Sequence, residues 1–435
     1  MEPEPEHGAS SITLASYRRL IRGNANLRRL WFAQIVSEIG DWFYTLSLYT
    51  LLLQLTGRPS SVALALVLQV LPQTLMGPTA GVVNDRLRRK HVMIAADLVR
   101  FVVVLAMLLV RSRSMVWLVY PLLLAETVMV SFFEPARNAV IPNIAAANEV
   151  LVANTLSSAT WSVNLVIGAA AGGVVAALFG RDATFLTNAL SFLVSAYLIS
   201  GMQFREPHAE TAPPLRVRDL VDFSPVVEGI AYIRNHPALV PAVFAKAGEL
   251  MVGPSWVIFT VMGVREFAVR GHGVDAAGGA MLGMSILLGG RGIGALVGPL
   301  ISARWAGQND HRLRFGILVS YLTIALGYGL LGFSRNLWTA AACAMLAHAG
   351  GSTVWVFSTT LLQIHSEDRF RGRVFSADLG LASLTFATTA YLCGRFLDVG
   401  ISAHVIASGT GFFMLLPAGV LAWALLANRS STTVS

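Results

Sequence analysis

The sequence predicts an all-α integral membrane protein with twelve transmembrane helices in two six-helix halves and with both termini in the cytoplasm. Three observations predict this fold class: the composition, the spacing of the apolar runs and the placement of the basic residues. Of the 435 residues, 55% are hydrophobic and only 13% are charged, whereas soluble domains carry about 25% charged residues. The chain therefore has too few charges to cover the surface of a soluble protein of this length.

Twelve apolar runs provide the predicted helices, and each can supply the roughly 20 residues that a spanning helix needs. They lie at 29–54, 60–83, 92–111, 115–137, 150–178, 183–203, 239–263, 279–303, 313–333, 337–362, 374–397 and 402–427. The only long connector separates six runs from six. We therefore divide the chain into a tail (1–27), an N-terminal six-helix bundle (28–203), a linker (204–238), a C-terminal six-helix bundle (239–427) and a second tail (428–435).

The lysines and arginines predict the orientation, because cytoplasmic segments carry an excess of them. If the N-terminus is inside, 21 of the 32 basic residues fall on the inner side, 7 fall on the outer side and 4 lie within spans. This bias predicts a multi-pass membrane protein with its N-terminus in the cytoplasm. It also accounts for the net charge of +8 without a nucleic-acid partner, and it leaves the lipid bilayer as the expected surroundings.

The linker contains a predicted interfacial helix. Ser224 can cap its N-terminus, Pro225 suits the first turn and Glu228 complements the helix dipole, while His236-Pro237 ends it. Valines and isoleucines on one face favour a helix that lies on the inner membrane surface. A disordered linker is the alternative.

The two halves of the chain carry related motifs. Gly77-Pro78 occurs late in the second run, and Gly298-Pro299 occurs late in the eighth. Parallel repeats related by an axis along the membrane normal are a known transporter architecture. The matching positions therefore favour an internally repeated transporter.

Several short motifs carry a resemblance to a known family. The loop after span 2 reads Gly81-Val-Val-Asn-Asp85-Arg86-Leu-Arg-Arg89-Lys, and Asp97 and Arg100 open span 3. Span 4 ends in Phe-Glu-Pro-Ala-Arg at 133–137, and Arg371-Gly-Arg373 follows span 10. Together these motifs resemble the major facilitator superfamily, and within it the branch of macrolide efflux and enterobactin export proteins. Arg88 stands where the family pattern has a glycine.

The resemblance implies a conformational latch at the cytoplasmic ends of spans 2 and 11. Asp85 would face a helix N-terminus, where an anion is favoured by about 0.3–1 kcal/mol. The predicted members of the latch are Gly81, Asp85, Arg86, Arg89, Arg371 and Arg373. The alternative is a plain cluster of positive-inside charges, which explains the arginines better than it explains Asp85.

Span 5 contains a run of small residues, Gly168-Ala-Ala-Ala-Gly172-Gly173. The run resembles the antiporter signature of the same superfamily, although Ala169 replaces the usual proline. Close helix packing through small residues is the alternative interpretation. Antiport and simple packing both stay open from the sequence.

Ionisable residues at mid-span are costly in a membrane and indicate function by default. Glu38 and Asp41 share one face of helix 1, and Glu126 lies mid-span in helix 4. Burial and mutual repulsion both favour the protonated carboxyl, which suits reversible protonation. We predict that these three residues couple transport to protons. The alternative is that they pair with Arg291 and Lys246 and only hold helices together.

Further polar residues are predicted to line a substrate cavity. Gln34 and Thr45 extend the stripe of Glu38 and Asp41, and helices 7, 8 and 10 add Lys246, Glu249, Arg291 and His348. Lys246 and Glu249, three residues apart, could pair with each other instead. His348 could shuttle protons, or it could be a hydrogen-bonded histidine of the cavity wall.

These features predict a secondary active transporter that exports small amphipathic molecules, such as drugs or siderophores, by proton-coupled alternating access. We expect a monomer with a small-molecule substrate, no metal and no cofactor, driven by the proton gradient. The alternatives are an uncoupled facilitator or a lysophospholipid flippase of the same fold, and a non-transporting sensor or scaffold. Enzyme activity is not expected, since the sequence shows no GxxxxGK[ST], HExxH or nucleophile-elbow motif.

Overall fold

A computed structural model describes residues 14–146, 149–211, 224–237, 239–270, 275–307 and 309–432, and the regular elements of these ranges are all helical. The two predicted tails and the linker lie partly outside these ranges. The helices that build the first half of the molecule are α1 (Leu14–Gly23), α2 (Ala25–Thr56), α3 (Pro59–Arg86), α4 (Arg89–Ala106), α5 (Val119–Ile144) and α6 (Val150–Ser200). Two short helices follow, α7 (Pro207–Thr211) and α8 (Ser224–Asn235).

The second half begins with a broken helix and continues with longer ones. Its helices are α9 (Val240–Leu250), α10 (Pro254–Val261), α11 (Ala276–Ala306), α12 (Asp310–Leu331), α13 (Leu337–His365), α14 (Asp368–Asp398), α15 (Ala403–Phe413) and α16 (Leu415–Thr432). A π-helical turn, Met262–Glu266, extends α10.

Within the described ranges, nine helical stretches are long and apolar enough to cross a membrane. Two further helices, α2 and α14, have comparable lengths of 32 and 31 residues. Both helices are long enough to cross a membrane, but they are not among the nine stretches. Each of them contains several charged residues. The charges of α2 include Glu38 and Asp41, which are central to the site described below.

The 49-residue stretch Val152–Ser200 is longer than one crossing requires, and it contains a sharp break. Gly180 in α6 has a φ of 78° and a ψ of 172°, which is not helical. A glycine adopts positive φ without the steric cost that a Cβ would impose. The break falls between the fifth and sixth apolar runs of the sequence, where a loop is predicted.

The helices pack in two groups that meet along two seams. Helices α2 to α6 pack against one another, and α9 to α16 do the same. The seams between the groups are formed by α6 with α11 and by α3 with α14. Polar contacts cross between the groups at the end remote from α1, where Arg265 Nη2 donates to the carbonyl oxygen of Gly57 at 2.6 Å and the Ser60 amide donates to Asp398 Oδ1 at 3.2 Å.

A stripe of glycines joins α11 to α13 inside the second group. Gly290, Gly294 and Gly298 follow at four-residue spacing, so they share one face of α11. A Cβ at these positions would overlap the carbonyl oxygens of Ala341, Met345 and Ala349 in turn. The two backbones can approach this closely because the stripe has no side chains, as is common between membrane helices.

We expect Gly294→Val to destabilise the protein by about 1–3 kcal/mol, because the new side chain must push α13 away. The matched control is Gly289→Val in the same helix, where a Cβ would meet no atom within 4 Å. Thermal unfolding in detergent compares the two variants. Equal melting temperatures for both would show that the close approach of α11 and α13 contributes nothing.

The linker helix α8 begins at Ser224, where the sequence places its cap. It packs against the start of α14, with Arg373 Nη1 2.8 Å from Glu228 Oε2. Tyr232 stacks between His236 and Phe370, with ring centroids 3.9 and 4.5 Å away. The linker helix α8 is therefore anchored to the second group of helices.

Candidate functional site

A cavity of about 410 Å³ lies between the two groups of helices. The side chains that line it are mostly acidic, amide or aromatic. They are Glu38, Asp41, Trp42, Thr45 and Tyr49 from α2, Leu66, Gln69, Val70 and Gln73 from α3, Val130 and Glu134 from α5, and Trp161, Trp256 and Phe386 from α6, α10 and α14. The walls therefore offer negative charge and aromatic surface together.

Glu38 lies at the centre of a polar network on one side of this cavity. Its Oε1 accepts from Gln34 Nε2 at 2.8 Å and from Arg137 Nη1 at 3.1 Å, and its Oε2 accepts from Asn164 Nδ2 at 2.8 Å. Arg137 also donates to Glu134 Oε2 at 2.7 Å. One guanidinium on α5 thus serves two carboxylates, of which Glu134 is the more exposed.

Arg100 on α4 organises a second network beside the first. Its Nη2 lies 2.9 Å from both carboxylate oxygens of Asp41, and its Nε donates to Glu126 Oε1 at 3.1 Å. The guanidinium also lies 3.9 Å from the centre of the Phe192 ring. The Asp41 side chain is 35% exposed and faces the cavity, whereas the Glu126 side chain is 8% exposed behind it.

A third carboxylate, that of Asp97, lies near Arg100 but forms no hydrogen bond with it. Asp97 Oδ1 lies 3.8 Å from Arg100 Nη1, and the side chain is fully buried. Among the described residues, neither oxygen of Asp97 has a hydrogen-bond donor. Around the cavity, five carboxylates (Glu38, Asp41, Asp97, Glu126 and Glu134) therefore share two guanidinium groups in the described ion pairs.

Trp256 on α10 connects the acidic side of the cavity to the second group of helices. Its ring stacks on Trp42 with an interplanar angle of 6° and a centroid distance of 5.9 Å. Tyr49 contacts the same ring edge-on at 6.3 Å. Arg291 lies 4.2 Å from the Trp256 ring centre, a cation–π contact. A planar apolar group in the cavity would meet this aromatic wall.

Lys246 does not pair with Glu249, the partner that the sequence left open. Its Nζ lies 2.5 Å from Asp378 Oδ2 on α14, and it also lies 4.7 Å from the Trp355 ring. Glu249 points instead toward Gly351 on α13, where a Cβ would come within 2.9 Å of its Oε1. Both side chains of α9 reach α13, but only Lys246 also reaches α14.

Arg291 and His348 form a second polar cluster in this half. Arg291 Nε donates to His348 Nδ1 at 3.4 Å, and His348 Nε2 lies 3.1 Å from the Tyr328 hydroxyl. Because Nδ1 accepts a hydrogen bond, the geometry fits a neutral imidazole that donates through Nε2. The contacts support the interpretation of His348 as a hydrogen-bonded histidine over that of a proton shuttle.

The structure places some of the predicted site residues on the cavity wall and the others away from it. Glu38, Asp41 and Thr45 line the cavity. Gln34 and Glu126 lie behind the wall, where they contact Glu38 and Arg100. Five predicted cavity residues are not among the residues that line it, namely Gln34, Lys246, Glu249, Arg291 and His348. Among the four from the second group of helices, Arg291 comes nearest to it, through Trp256.

The alternative pairing of the α2 acids with Arg291 and Lys246 is wrong, because Glu38 pairs with Arg137 and Asp41 pairs with Arg100. The sequence alone did not indicate that these two arginines are counter-ions, nor that Asp97, Glu134, Asp378 and Trp256 belong to the site. For two of the acids, the spacing in the sequence indicated an ion pair. Asp97 lies three residues before Arg100 and Glu134 lies three residues before Arg137, so each acid shares a helix face with its arginine.

The contacts described for the predicted latch residues do not include one between Asp85 and α14. Asp85 Oδ1 lies 3.6 Å from Arg89 Nη2, one turn along the chain, and Arg89 Nη1 donates to the carbonyl oxygen of Ala139 at 3.0 Å. Arg373 pairs with Glu228 of the linker helix. The side chain of Arg371 lies outside the described residues, so the latch of Gly81, Asp85 and Arg86 with α14 stays a prediction.

The small residues of α6 pack closely on α2. A Cβ at Gly168 would lie 2.8 Å from Trp42 Cδ1, and one at Gly172 would lie 2.9 Å from Leu46 Cδ1. These contacts support the packing interpretation of the run. They also hold Trp42 against the cavity, so the run contributes indirectly to the shape of the site.

Comparisons with known proteins agree with this arrangement. Residues 30–378 match the family model of the Major Facilitator Superfamily. A protein named as a bacilysin exporter, BacE of Bacillus subtilis, is 25% identical over 411 residues, which cover 93% of this chain and 95% of that protein. Macrolide efflux protein A of Streptococcus pyogenes is 24% identical over 390 residues, covering 88% of this chain and 92% of that protein.

Solved structures show the same fold. A POT family transporter in complex with 5-aminolevulinic acid superimposes with a TM-score of 0.72 at 10% sequence identity, covering 92% of this chain and 95% of that one. Members of the matched family are transporters and not enzymes. The chain therefore belongs to the major facilitator superfamily, as a multi-pass transporter of the cell membrane.

Proposed function

We propose that this protein is a secondary active transporter that exports small amphipathic molecules, preferably cationic ones, in exchange for protons. The observation that carries the proposal is the excess of carboxylates at the cavity. Five carboxylates share two arginines in the described ion pairs. Three of the acids, Glu38, Asp41 and Glu134, line the cavity where a substrate would bind.

The excess charge needs a cation because an uncompensated charge in a poorly solvated site is costly. Two arginines balance two carboxylates, which leaves three to be neutralised. Protons can do this when the cavity is empty, and a cationic substrate can do it when the cavity is filled. Substrate and protons would then compete for the same carboxylates, which is the basis of exchange.

The aromatic walls support an amphipathic substrate. Trp42, Trp161 and Trp256 offer flat apolar surface next to Glu38 and Asp41, and such rings bind both apolar groups and cations. In the second group of helices, the buried Lys246 and the half-buried Arg291 balance the buried Asp378 and Glu249. The acidic excess thus lies in the first group of helices, which supplies all the carboxylates of the cavity wall.

The relatives support export as the direction. Macrolide efflux protein A and the protein named as a bacilysin exporter both carry export in their names and align over nearly the whole chain. We propose the same direction here. We also propose that the monomer is the transporting unit and that the proton gradient is the only energy source.

We further propose twelve membrane crossings with both termini in the cytoplasm. The nine stretches described above become twelve when α2 and α14 are added and when α6 is divided at Gly180. The contacts of Arg265 and Asp398 with Gly57 and Ser60 then lie at the outer end. A closed outer end supports an inward-facing state of an alternating-access cycle.

We expect Glu38→Gln, Asp41→Asn and Glu126→Gln to weaken or abolish coupling, because each removes a protonatable group from the network. Uptake of a substrate into inverted vesicles under an imposed pH gradient measures this. A resistance panel of amphipathic amines in an efflux-deficient host first supplies the substrate. The matched control is Glu266→Gln, whose carboxylate pairs with His404 away from the cavity.

Three outcomes would be decisive. Gradient-driven uptake that falls at least tenfold in the site variants, but not in the control, supports the proposal. Uptake in the wild type that a protonophore does not change indicates an uncoupled facilitator instead. Full coupling in all three site variants would overturn the assignment of these residues.

A further inference from the structure

Two lipid-facing grooves occupy corresponding places in the two groups of helices. The first, here called the C-groove, lies between α11, α12 and α13 and has a volume of about 390 Å³. Its walls are almost entirely apolar and include Ile301, Trp305, Phe315 and Val319. Ile301 is 68% exposed and Trp305 is 46% exposed, so the groove opens to the surface that the bilayer covers.

Basic residues lie at the end of the C-groove that Trp305 lines, here called its mouth. Arg312 is exposed and its guanidinium lies 6.0 Å from the Trp305 ring centre, and Arg304, which directly precedes Trp305 in the chain, is also exposed. Arg312 donates from Nη1 to the carbonyl oxygen of Trp305 at 3.1 Å, which leaves other donors of its guanidinium for a ligand. The nearby acid, Asp310, already accepts from Arg314 at 2.7 Å and from His365 at 2.6 Å. The mouth therefore has an excess of positive charge.

The second groove, here called the N-groove, lies between α3, α4 and α5 and has a volume of about 660 Å³. Its mouth carries Arg86, Arg88 and His91, and its wall includes Val83 and Phe132. Arg88 and His91 are exposed. The two grooves lie at equivalent positions in the predicted repeat. In each half the mouth of the groove follows a Gly-Pro pair by one to three helical turns, namely Gly77-Pro78 in α3 and Gly298-Pro299 in α11.

We propose that each groove binds one anionic phospholipid, with an acyl chain along the apolar wall and the phosphate on the arginines. Each groove matches a phospholipid in both shape and charge, because its apolar surface ends in a basic mouth. Basic pockets between membrane helices favour anionic headgroups, and Trp305 is of the residue type that anchors at the membrane interface. A free phosphate would use the arginines but not the apolar wall.

The test is native mass spectrometry of the full-length protein in detergent, titrated with phosphatidylglycerol and, separately, with phosphatidylcholine. Two tightly bound phosphatidylglycerol molecules are expected, with weaker binding of phosphatidylcholine. Arg304→Gln/Arg312→Gln should reduce the number to one, since each basic residue near a membrane surface contributes about fivefold in affinity. Arg88→Gln/His91→Gln should do the same for the N-groove.

One further variant tests the apolar wall of the C-groove, and another serves as a control for the loss of positive charge. Val319→Trp should block the acyl chain in the C-groove without removing a charge, and it should also release one lipid. Arg113→Gln/Arg335→Gln removes two exposed arginines from the opposite end of the molecule, and it should keep two.

The proposal is overturned by any of three results. The first is equal binding of the two lipids by the wild type. The second is loss of phosphatidylglycerol in the control variant to the same degree as in the groove variants. The third is displacement of the lipid by inorganic phosphate together with unchanged binding to Val319→Trp, which would indicate a phosphate site alone.

Discussion

Replacing Arg100 by glutamine is expected to destabilise the protein by about 3–5 kcal/mol, the usual cost of removing one partner of a buried ion pair. The change removes the guanidinium that contacts Asp41 and Glu126 and lies near Asp97. Three carboxylates would then remain in one poorly solvated region without a counter-ion. The loss is measured by thermal unfolding in detergent and by the amount of folded protein recovered from membranes.

The matched control for this prediction is Arg111→Gln. Arg111 pairs with Asp182, and both side chains are about half exposed, so the variant should lose less than about 1 kcal/mol. A triple variant, Arg100→Gln with Asp41→Asn and Glu126→Gln, should recover much of the lost stability because the unpaired charges are also gone. If Arg100→Gln and Arg111→Gln unfold at the same temperature, the carboxylates are not compensated by Arg100 as described.

The second large effect is expected for Asp378→Asn, which leaves the Lys246 ammonium without a carboxylate. The side chains of this pair are 3% and 2% exposed, and the pair joins α9 to α14. The Trp355 and Phe375 rings, 4.7 and 5.6 Å from Nζ, compensate the charge only in part. We again expect a loss of about 3–5 kcal/mol, measured by thermal unfolding.

A double-mutant cycle shows whether the effect comes from the pair itself. Lys246→Met combined with Asp378→Asn should be more stable than Asp378→Asn alone, because neither position of the pair then carries a charge. Glu228→Gln serves as the control, since Glu228 and Arg373 are nearly half exposed. Strictly additive losses in the two single variants would contradict a direct interaction between Lys246 and Asp378.

Much of the architecture follows from local properties of the chain. Apolar runs of sufficient length, the excess of arginine on alternate loops and the start of the linker helix at Ser224 depend only on neighbouring residues. The acids Glu38 and Asp41 were identifiable for the same reason, since charge in an apolar helix is conspicuous. The family resemblance rested on short motifs, and the family match over residues 30–378 confirms it.

The counter-ions could not be assigned in this way because they depend on contacts between distant helices. Lys246 has Glu249 three residues away, yet it pairs with Asp378, which is 132 residues away. Spacing along a helix shows which side chains share a face, but not which neighbouring helix each one reaches. Trp256 gave no signal at all, since a tryptophan in an apolar run is equally suited to the core, the lipid surface or a binding site.

The proposed exchange can be tested most directly by measuring protons released when substrate binds. The purified protein in weakly buffered detergent solution is mixed with the substrate found in the resistance panel, and a pH indicator follows the change. The account predicts proton release on binding, reduced in Glu38→Gln and Asp41→Asn and unchanged in Glu266→Gln. Substrate binding of full affinity without any proton release would contradict the claim that substrate and protons compete for the cavity carboxylates.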